Sequence, residues 1–151
     1  MLKENEKGFS LVELMVVLAV VSLLAMLTLP TYRNFILKAE FIETKMAIGA
    51  VKVSFEVCVQ NMGLAKAKLC SHSRYGIPGK SQAAEGMAGV ELAGDIYSKT
   101  GSLAEDDKVT ITATAPTDSG NQGETYTLTG KLKQGGRIEW DDGVCSKAEL
   151  C

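Results

Sequence analysis

The stretch that begins at Gly8 reads GFSLVELM over residues 8–15, and apolar sequence continues from there to residue 29. Residues 9–29 supply about the ~20 apolar residues that a helix needs to cross the hydrocarbon core of a bilayer. Glu13 is a carboxylate within this run, and a charge there costs at least ~2.5 kcal/mol. Because a charge at this position is so unfavourable, we expect Glu13 to have a function and to pair with another group.

The residues before the apolar run suggest that partner. An ordinary secretory signal carries its small-residue cleavage site after the apolar region, and residues 29–32 contain no such site. Cleavage between Gly8 and Phe9 would instead create an ammonium group on Phe9. Glu13 lies one helical turn further along the chain. We therefore expect the amine and the carboxylate to neutralise each other, within one chain or between neighbouring chains.

Gly8, Phe9, Glu13 and Pro30, set in a long apolar run, resemble the signature of type IV pilins, which carry a class III signal peptide. The resemblance implies that a prepilin peptidase removes residues 1–8 as a leader and N-methylates Phe9. It also implies that Glu13 serves filament assembly and that Pro30 kinks the helix. Methylation leaves the charge of the amine in place, so the proposed pairing survives it. The alternative is a signal anchor with an accidental glutamate.

The composition fits one domain and its anchor. The chain has 151 residues and a formal net charge of −2, which does not imply a nucleic-acid or anionic-lipid partner. Its four cysteines are an even number in a chain with an export-type N-terminus, so disulfides are expected. Three pairings are possible, and we favour Cys58–Cys70 with Cys145–Cys151. The spacings do not match the close cysteine pairs of structural zinc sites. We expect neither a metal nor a cofactor.

Beyond Pro30 the apolar pattern becomes periodic. Residues 30–63 are predicted to form an amphipathic helix that continues from the membrane-length run into a head domain. The predicted buried face recurs every three or four residues and consists of Phe35, Ala39, Ile42, Met46, Ala50, Val53 and Val57.

Residues 64–151 are predicted to form the rest of the head domain. Its first part, up to about residue 100, is rich in Gly, Ser and Ala and indicates a variable loop, with a short helix or strand near residues 90–97. Period-two alternation then predicts strands at residues 109–115, 125–132 and 137–140. The expected fold class is α+β: a long N-terminal helix packed against an antiparallel sheet of three or four strands. This layout also resembles the pilin fold.

No catalytic motif is visible, and we predict that the chain is not an enzyme. The Ser-His-Ser sequence at residues 71–73 is the nearest approach to a nucleophile and base, but a surface loop is favoured. Asp141 and Asp142 could contribute to a calcium site, although a solvated turn is favoured. A locally basic loop could contact DNA phosphates, although an ordinary solvated loop is favoured; it contains Lys66, Lys68, Arg74 and Lys80.

The function that the resemblance implies is a structural subunit of a type IV pilus, supporting adhesion, twitching motility or DNA uptake. Such a subunit resides in the bacterial inner membrane before assembly and in an extracellular filament afterwards. The implied partners are other copies of the chain, prepilin peptidase, the inner-membrane assembly machinery and, before assembly, lipid. DNA is a further candidate. The alternatives are a type II secretion pseudopilin and a minor pilin.

Overall fold

The computed structural model describes residues 8–101 and 103–151, with the side chains of residues 29 and 30 left aside. Residues 1–7 of the expected leader lie outside the described part. The chain divides into two compact units, of which the first ends at Ile36 and the second begins at Leu37.

The first unit is formed by the N-terminal part of helix α1, which spans Leu11–Met62. Its sequence is rich in leucine, which favours helix, and in valine, which favours it less. Its first turn carries the acidic Glu13, which suits the positive end of the helix dipole. The helix is continuous through Pro30, where one backbone hydrogen bond must be missing. The bend expected there stays a prediction.

The second unit contains the end of α1 and an antiparallel sheet. A 3-10 helix, Leu64–Leu69, follows α1, and short 3-10 turns lie at Gln134–Gly136 and Ala148–Leu150. A short helix, α2, spans Asp95–Ser98. The five strands are β1 Gly89–Ala93, β2 Lys108–Thr114, β3 Thr125–Leu132, β4 Ile138–Trp140 and β5 Val144–Cys145.

The sheet confirms the predicted α+β class. Its strand order is β1-β2-β3-β4, all antiparallel, and β5 also pairs with β3. The three predicted strands correspond to β2, β3 and β4, with ends that differ by at most one residue. The short element expected near residues 90–97 consists of β1 and α2. Sequence reasoning missed β5, which is too short to show alternation.

The face of α1 that the head domain buries is not the predicted one. All seven residues of the predicted face are exposed, and Met46 keeps 72% of its accessible surface. The buried face follows a second helical series, which consists of Phe41, Thr44, Ile48, Val51, Phe55, Cys58 and Val59. The prediction of the buried face was therefore wrong.

The charged residues beside the buried face explain the error. Lys45 Nζ lies 5.3 Å from the ring centroid of Tyr126, and Lys52 Nζ lies 5.5 Å from that of Trp140. Trp140 Nε1 also donates a hydrogen bond to Glu56 Oε1 at 2.6 Å. These long side chains reach from the helix to aromatic residues of the sheet. Charge on α1 therefore flanks the buried face as well as the solvent-facing side.

The core of the head domain is dominated by aliphatic and aromatic side chains, among which Thr44 is an exception. Thr44 is fully buried, and its Oγ1 has no hydrogen-bond partner among the described residues. A buried hydroxyl without a partner costs about 1–3 kcal/mol. The shape of the side chain therefore contributes to stability at this position, whereas the hydroxyl opposes it.

Replacing Thr44 with Val should raise the free energy of unfolding by up to ~1 kcal/mol, because the shape is kept and the unpaired hydroxyl is removed. Thr44→Ala is the matched control and should lower it by ~1 kcal/mol, because a cavity replaces the lost methyl group. The measurement is thermal unfolding of the full chain in detergent micelles, followed by tryptophan fluorescence. A Val variant less stable than the Ala variant would contradict this account.

Candidate functional site

Glu13 lies at the N-terminus of α1 and contacts the backbone just before the helix. Its Oε2 accepts a hydrogen bond from the backbone N–H of Ser10 at 2.9 Å. This is the position from which a glutamate reaches back to satisfy the donor of the capping residue. In the uncleaved chain the nitrogen of Phe9 is part of a peptide bond. The pairing of Glu13 with an amine therefore requires the cleaved chain, and the structure assigns the carboxylate a capping contact before cleavage.

Among the described residues of the first unit, none covers the apolar surface of α1. Every residue described from Leu11 to Thr28 is exposed, including Met26 at 76%. An 18-residue window of the helix has a mean hydropathy of 2.6, so its length and composition suffice to cross a membrane. A signal sequence would meet the same criterion, so the assignment also depends on the motif that precedes the helix.

In the head domain, α1 carries a second uncovered apolar surface, which we call the helix stripe: Ile42, Met46, Val53 and Val57. All four side chains are exposed, with 48% of Ile42 and 51% of Val57 accessible. Their spacing places them on one side of the helix. Extended apolar patches on a folded domain commonly mark interaction surfaces. The residues predicted to bury against the sheet are thus available to a neighbouring molecule.

Two disulfides close the head domain. Cys58 in the last turns of α1 is bonded to Cys70, and both residues are buried. Cys145 at the end of β5 is bonded to Cys151, of which only Cys145 is buried. The first bond fixes the end of the helix to the start of the loop, and the second fixes the end of the chain to the sheet.

The Ser-His-Ser sequence does not form a nucleophile and base pair. His72 Nδ1 lies 2.7 Å from the carbonyl oxygen of Pro78, and Nε2 accepts a hydrogen bond from the backbone N–H of Leu92 at 2.6 Å. In the part of the chain that the structure describes, neither serine hydroxyl bonds to the ring. Both ring nitrogens are thus held by the backbone.

An open cavity of about 550 Å³ lies beside His72 and is also lined by Tyr97. The Tyr97 hydroxyl donates a hydrogen bond to the carbonyl oxygen of Cys70 at 2.6 Å. Burial raises the pKa of this hydroxyl well above its ordinary value. Tyr97 is therefore neutral at ordinary pH and acts as a donor that fixes the loop to α2.

The acidic pair after β4 is used in a turn. Asp141 Oδ1 accepts hydrogen bonds from the backbone N–H groups of Thr129 and Gly143 at 3.0 and 3.2 Å. Among the residues described, no group of three His, Cys, Asp or Glu side chains is placed to hold a metal ion. The carboxylate of Asp141 therefore stabilises the exit from β4.

The basic side chains of the loop are exposed. Lys80 Nζ forms an ion pair with Glu91 Oε1 at 2.5 Å, so its charge is compensated. The other three basic residues of this loop are also exposed: Lys66, Lys68 and Arg74. Contact with DNA stays a prediction for these residues.

Comparison with known proteins places the N-terminal motif in a known class. Residues 3–29 match the family model described as the prokaryotic N-terminal methylation motif. The type IV major fimbrial protein FimA of Dichelobacter nodosus is 34% identical over 58 residues, which are 38% of this chain and 37% of FimA. The type IV pilus subunit protein TapA of Aeromonas hydrophila is 35% identical over 75 residues, which are 50% of this chain and 51% of TapA.

A third relative matches over most of its length. The fimbrial protein EcpC of Eikenella corrodens is 29% identical over 144 residues, which are 93% of this chain and 84% of EcpC. By contrast, the chain spans between about a third and a half of the length of FimA and TapA.

The chain thus combines an N-terminal methylation motif, an uncovered apolar helix and an α+β head. In sequence it is similar to type IV fimbrial and pilus proteins.

Proposed function

We propose that the chain is a structural subunit of a type IV pilus that assembles through its N-terminal helix. The observation that carries this proposal is the apolar surface of α1 between Leu11 and Thr28, which is exposed throughout and follows a leader-type motif. Apolar surface of this extent is unfavourable in water. Lipid covers it before assembly, and the helices of other copies cover it in the filament.

The proposed pathway begins at the junction of residues 8 and 9. Prepilin peptidase removes the leader, residues 1–8, and methylates the amine of Phe9. Residues 9–29 hold the subunit in the inner membrane until the assembly machinery extracts it. In the filament, Glu13 of one subunit neutralises the Phe9 amine of a neighbour, since a buried charge is tolerated when paired and costly when alone.

The remaining segments form the part of the subunit outside the membrane. Residues 30–63 continue the helix into the head, and residues 64–151 form the loop and the sheet. The helix stripe is proposed to contact neighbouring subunits. Disulfides persist in oxidising surroundings, which suits a head domain outside the cytoplasm and an extracellular filament. We propose a structural role without catalysis.

The proposed function is tested by mass spectrometry and electron microscopy on filaments sheared from cells that produce the chain. We expect long fibres that contain this chain, beginning at a methylated Phe9. A chain that is processed but absent from every surface fibre would contradict the pilus proposal and favour a secretion pseudopilin. A processed chain found only in trace amounts would indicate a minor pilin.

Gly8→Glu should block removal of the leader. Among the described residues, no heavy atom lies within 4 Å of a Cβ built at Gly8, so this part of the chain leaves room for a side chain there. Loss of processing would then report on recognition by the peptidase. Gly8→Ala is the matched control, with a small side chain and no charge, and should be processed far better. The readout is the mass of the membrane-bound chain. A mature mass for Gly8→Glu equal to that of the wild type would rule out cleavage at this bond.

A further inference from the structure

The outer edge of β1 is covered by the loop that follows Cys70. Strand β1 is the end strand of the sheet, so its outward-facing N–H and C=O groups have no strand partner. The backbone of Val90 instead pairs with Ser81, with hydrogen bonds of 3.0 and 3.1 Å. The next outward N–H, that of Leu92, donates to Nε2 of His72. The imidazole thus accepts the hydrogen bond that a carbonyl of a neighbouring strand would otherwise accept. It covers part of an edge to which another strand could otherwise add.

The two hydrogen bonds of His72 define its protonation state. The backbone N–H of Leu92 can only donate, so Nε2 must present its lone pair. The carbonyl oxygen of Pro78 can only accept, so Nδ1 must carry the hydrogen. This neutral tautomer, assigned from the network, is the one form that satisfies both partners. A proton on Nε2 would place two donors against each other and break the bond to Leu92.

The groups around the ring offer no compensation for a positive charge. Among the described residues, no carboxylate hydrogen-bonds to the ring. On β1, Glu91 is paired with Lys80 of the loop, so these two charges offset each other. On α2, Tyr97 is neutral and directs its hydroxyl to Cys70, and the other charged groups of the loop and α2 are the exposed Arg74 and Asp95.

The loop that His72 holds is conformationally strained. Ser73 and Tyr75 have φ angles of 62° and 50°, in the left-handed region that is uncommon for residues other than glycine. The bulky Tyr75 side chain is 54% exposed, so burial of its ring does not account for its backbone conformation. Such conformations persist where the surrounding structure holds them. Backbone hydrogen bonds within the loop, such as that from Ser73 to Ile77, supply part of that constraint. The bonds of His72 to Pro78 and Leu92 supply the rest by joining the loop to β1.

From these observations we infer that His72 is a pH-dependent switch, which attaches the loop to the edge of β1 only when its ring is neutral. In its neutral form it holds the first part of the loop, residues 71–78, against the edge of β1. Protonation in an acidic medium removes the bond to Leu92 and frees this part of the loop, whereas Ser81 stays bonded to Val90. The rest of the sheet, which is held by β-ladder hydrogen bonds and the core, stays closed. This inference does not depend on the proposed role in a filament.

The test is hydrogen–deuterium exchange with mass spectrometry on the full chain in detergent micelles, at about pH 7 and about pH 5, which bracket the range in which histidine titrates. After correction for intrinsic exchange, peptides covering residues 71–78 of the wild type, and the Leu92 amide within residues 89–93, should lose protection by about tenfold or more at the lower pH. Peptides covering β2 and β3 should be unchanged.

Two variants distinguish the effect of protonating His72 from a general effect of acid on the protein. His72→Gln keeps a neutral acceptor that can reach Leu92, so its loop should stay protected at both pH values. His72→Ala should be open at both. If the Ala variant does not fold, the wild type and the Gln variant decide by themselves. Equal wild-type protection at the two pH values would overturn the inference. Opening of the Gln variant in parallel with the wild type would also overturn it, because acid would then act through another group.

Discussion

Replacing Glu13 with Ala is expected to leave removal of the leader intact and to reduce incorporation into filaments by more than a hundredfold. In the proposed filament core, the carboxylate neutralises an amine of a neighbouring subunit. A subunit without Glu13 leaves that amine buried and unpaired, and breaking a buried ion pair costs about 3–5 kcal/mol. The readouts are the mass of the membrane-bound chain and the amount of chain in the sheared-fibre fraction.

The contact between Glu13 and Ser10 supplies a competing explanation that the experiment must separate. Loss of a side-chain contact at a helix N-terminus weakens the helix by about 1 kcal/mol, which could reduce assembly without any ion pair. Glu13→Gln separates the two, because its amide oxygen can still accept the bond from Ser10 but carries no charge. If the ion pair is required, the Gln variant should be as defective as the Ala variant.

The Asp variant completes the series, since it keeps the charge and shortens the reach by one methylene group. It should assemble better than Gln if charge is decisive. Filaments of wild-type abundance and length built from Glu13→Ala subunits alone would refute the assembly role. Wild-type filaments from the Gln variant, combined with failure of the Ala variant, would assign Glu13 to helix capping alone.

The N-terminal motif and the main strands were readable because their information is local. Gly8, Phe9 and Glu13 stand close together in sequence, and the cost of a carboxylate in an apolar run follows from that sequence alone. Strands β2 and β3 alternate over seven and eight residues, long enough for period two to be recognised.

The buried face of α1 was not readable because the helix has two apolar sides. Periodicity finds residues that share a side, but it does not say whether the sheet of the same chain or another molecule covers them. The series through Phe41, Phe55 and Val59 faces the core, whereas the helix stripe faces outward. An amphipathic pattern assumes one buried side, and a helix with two apolar sides violates that assumption.

The contacts of His72 lay beyond sequence reasoning for a different reason. Its bond to Leu92 joins residues 20 positions apart, across a loop with no periodicity. The sequence indicated a loop, and only the three-dimensional structure shows that the ring lies at the edge of a sheet. Side-chain to backbone bonds of this kind have no signature in spacing.

Removal of the Cys58–Cys70 disulfide by the double substitution to Ala is expected to cost about 3 kcal/mol of stability, on the order of 10 °C in melting temperature. Part of the loss is chain entropy, since the bond joins two cysteines that are 12 residues apart in sequence. A further part arises because both cysteines are buried against the end of α1, so the truncated side chains leave a cavity. Thermal unfolding of the full chain in micelles measures the loss.

The Cys145–Cys151 pair is the matched control within the same chain. Its sequence separation is 6, and Cys151 is exposed, so the corresponding double Ala variant should lose less, about 2 kcal/mol. The first pair also anchors Cys70, whose carbonyl accepts the Tyr97 hydroxyl. Its removal should therefore loosen the loop and the cavity beside His72 as well. A difference between the two variants no larger than the ~0.6 kcal/mol that loop length alone predicts would show that burial at the helix end adds nothing to loop closure.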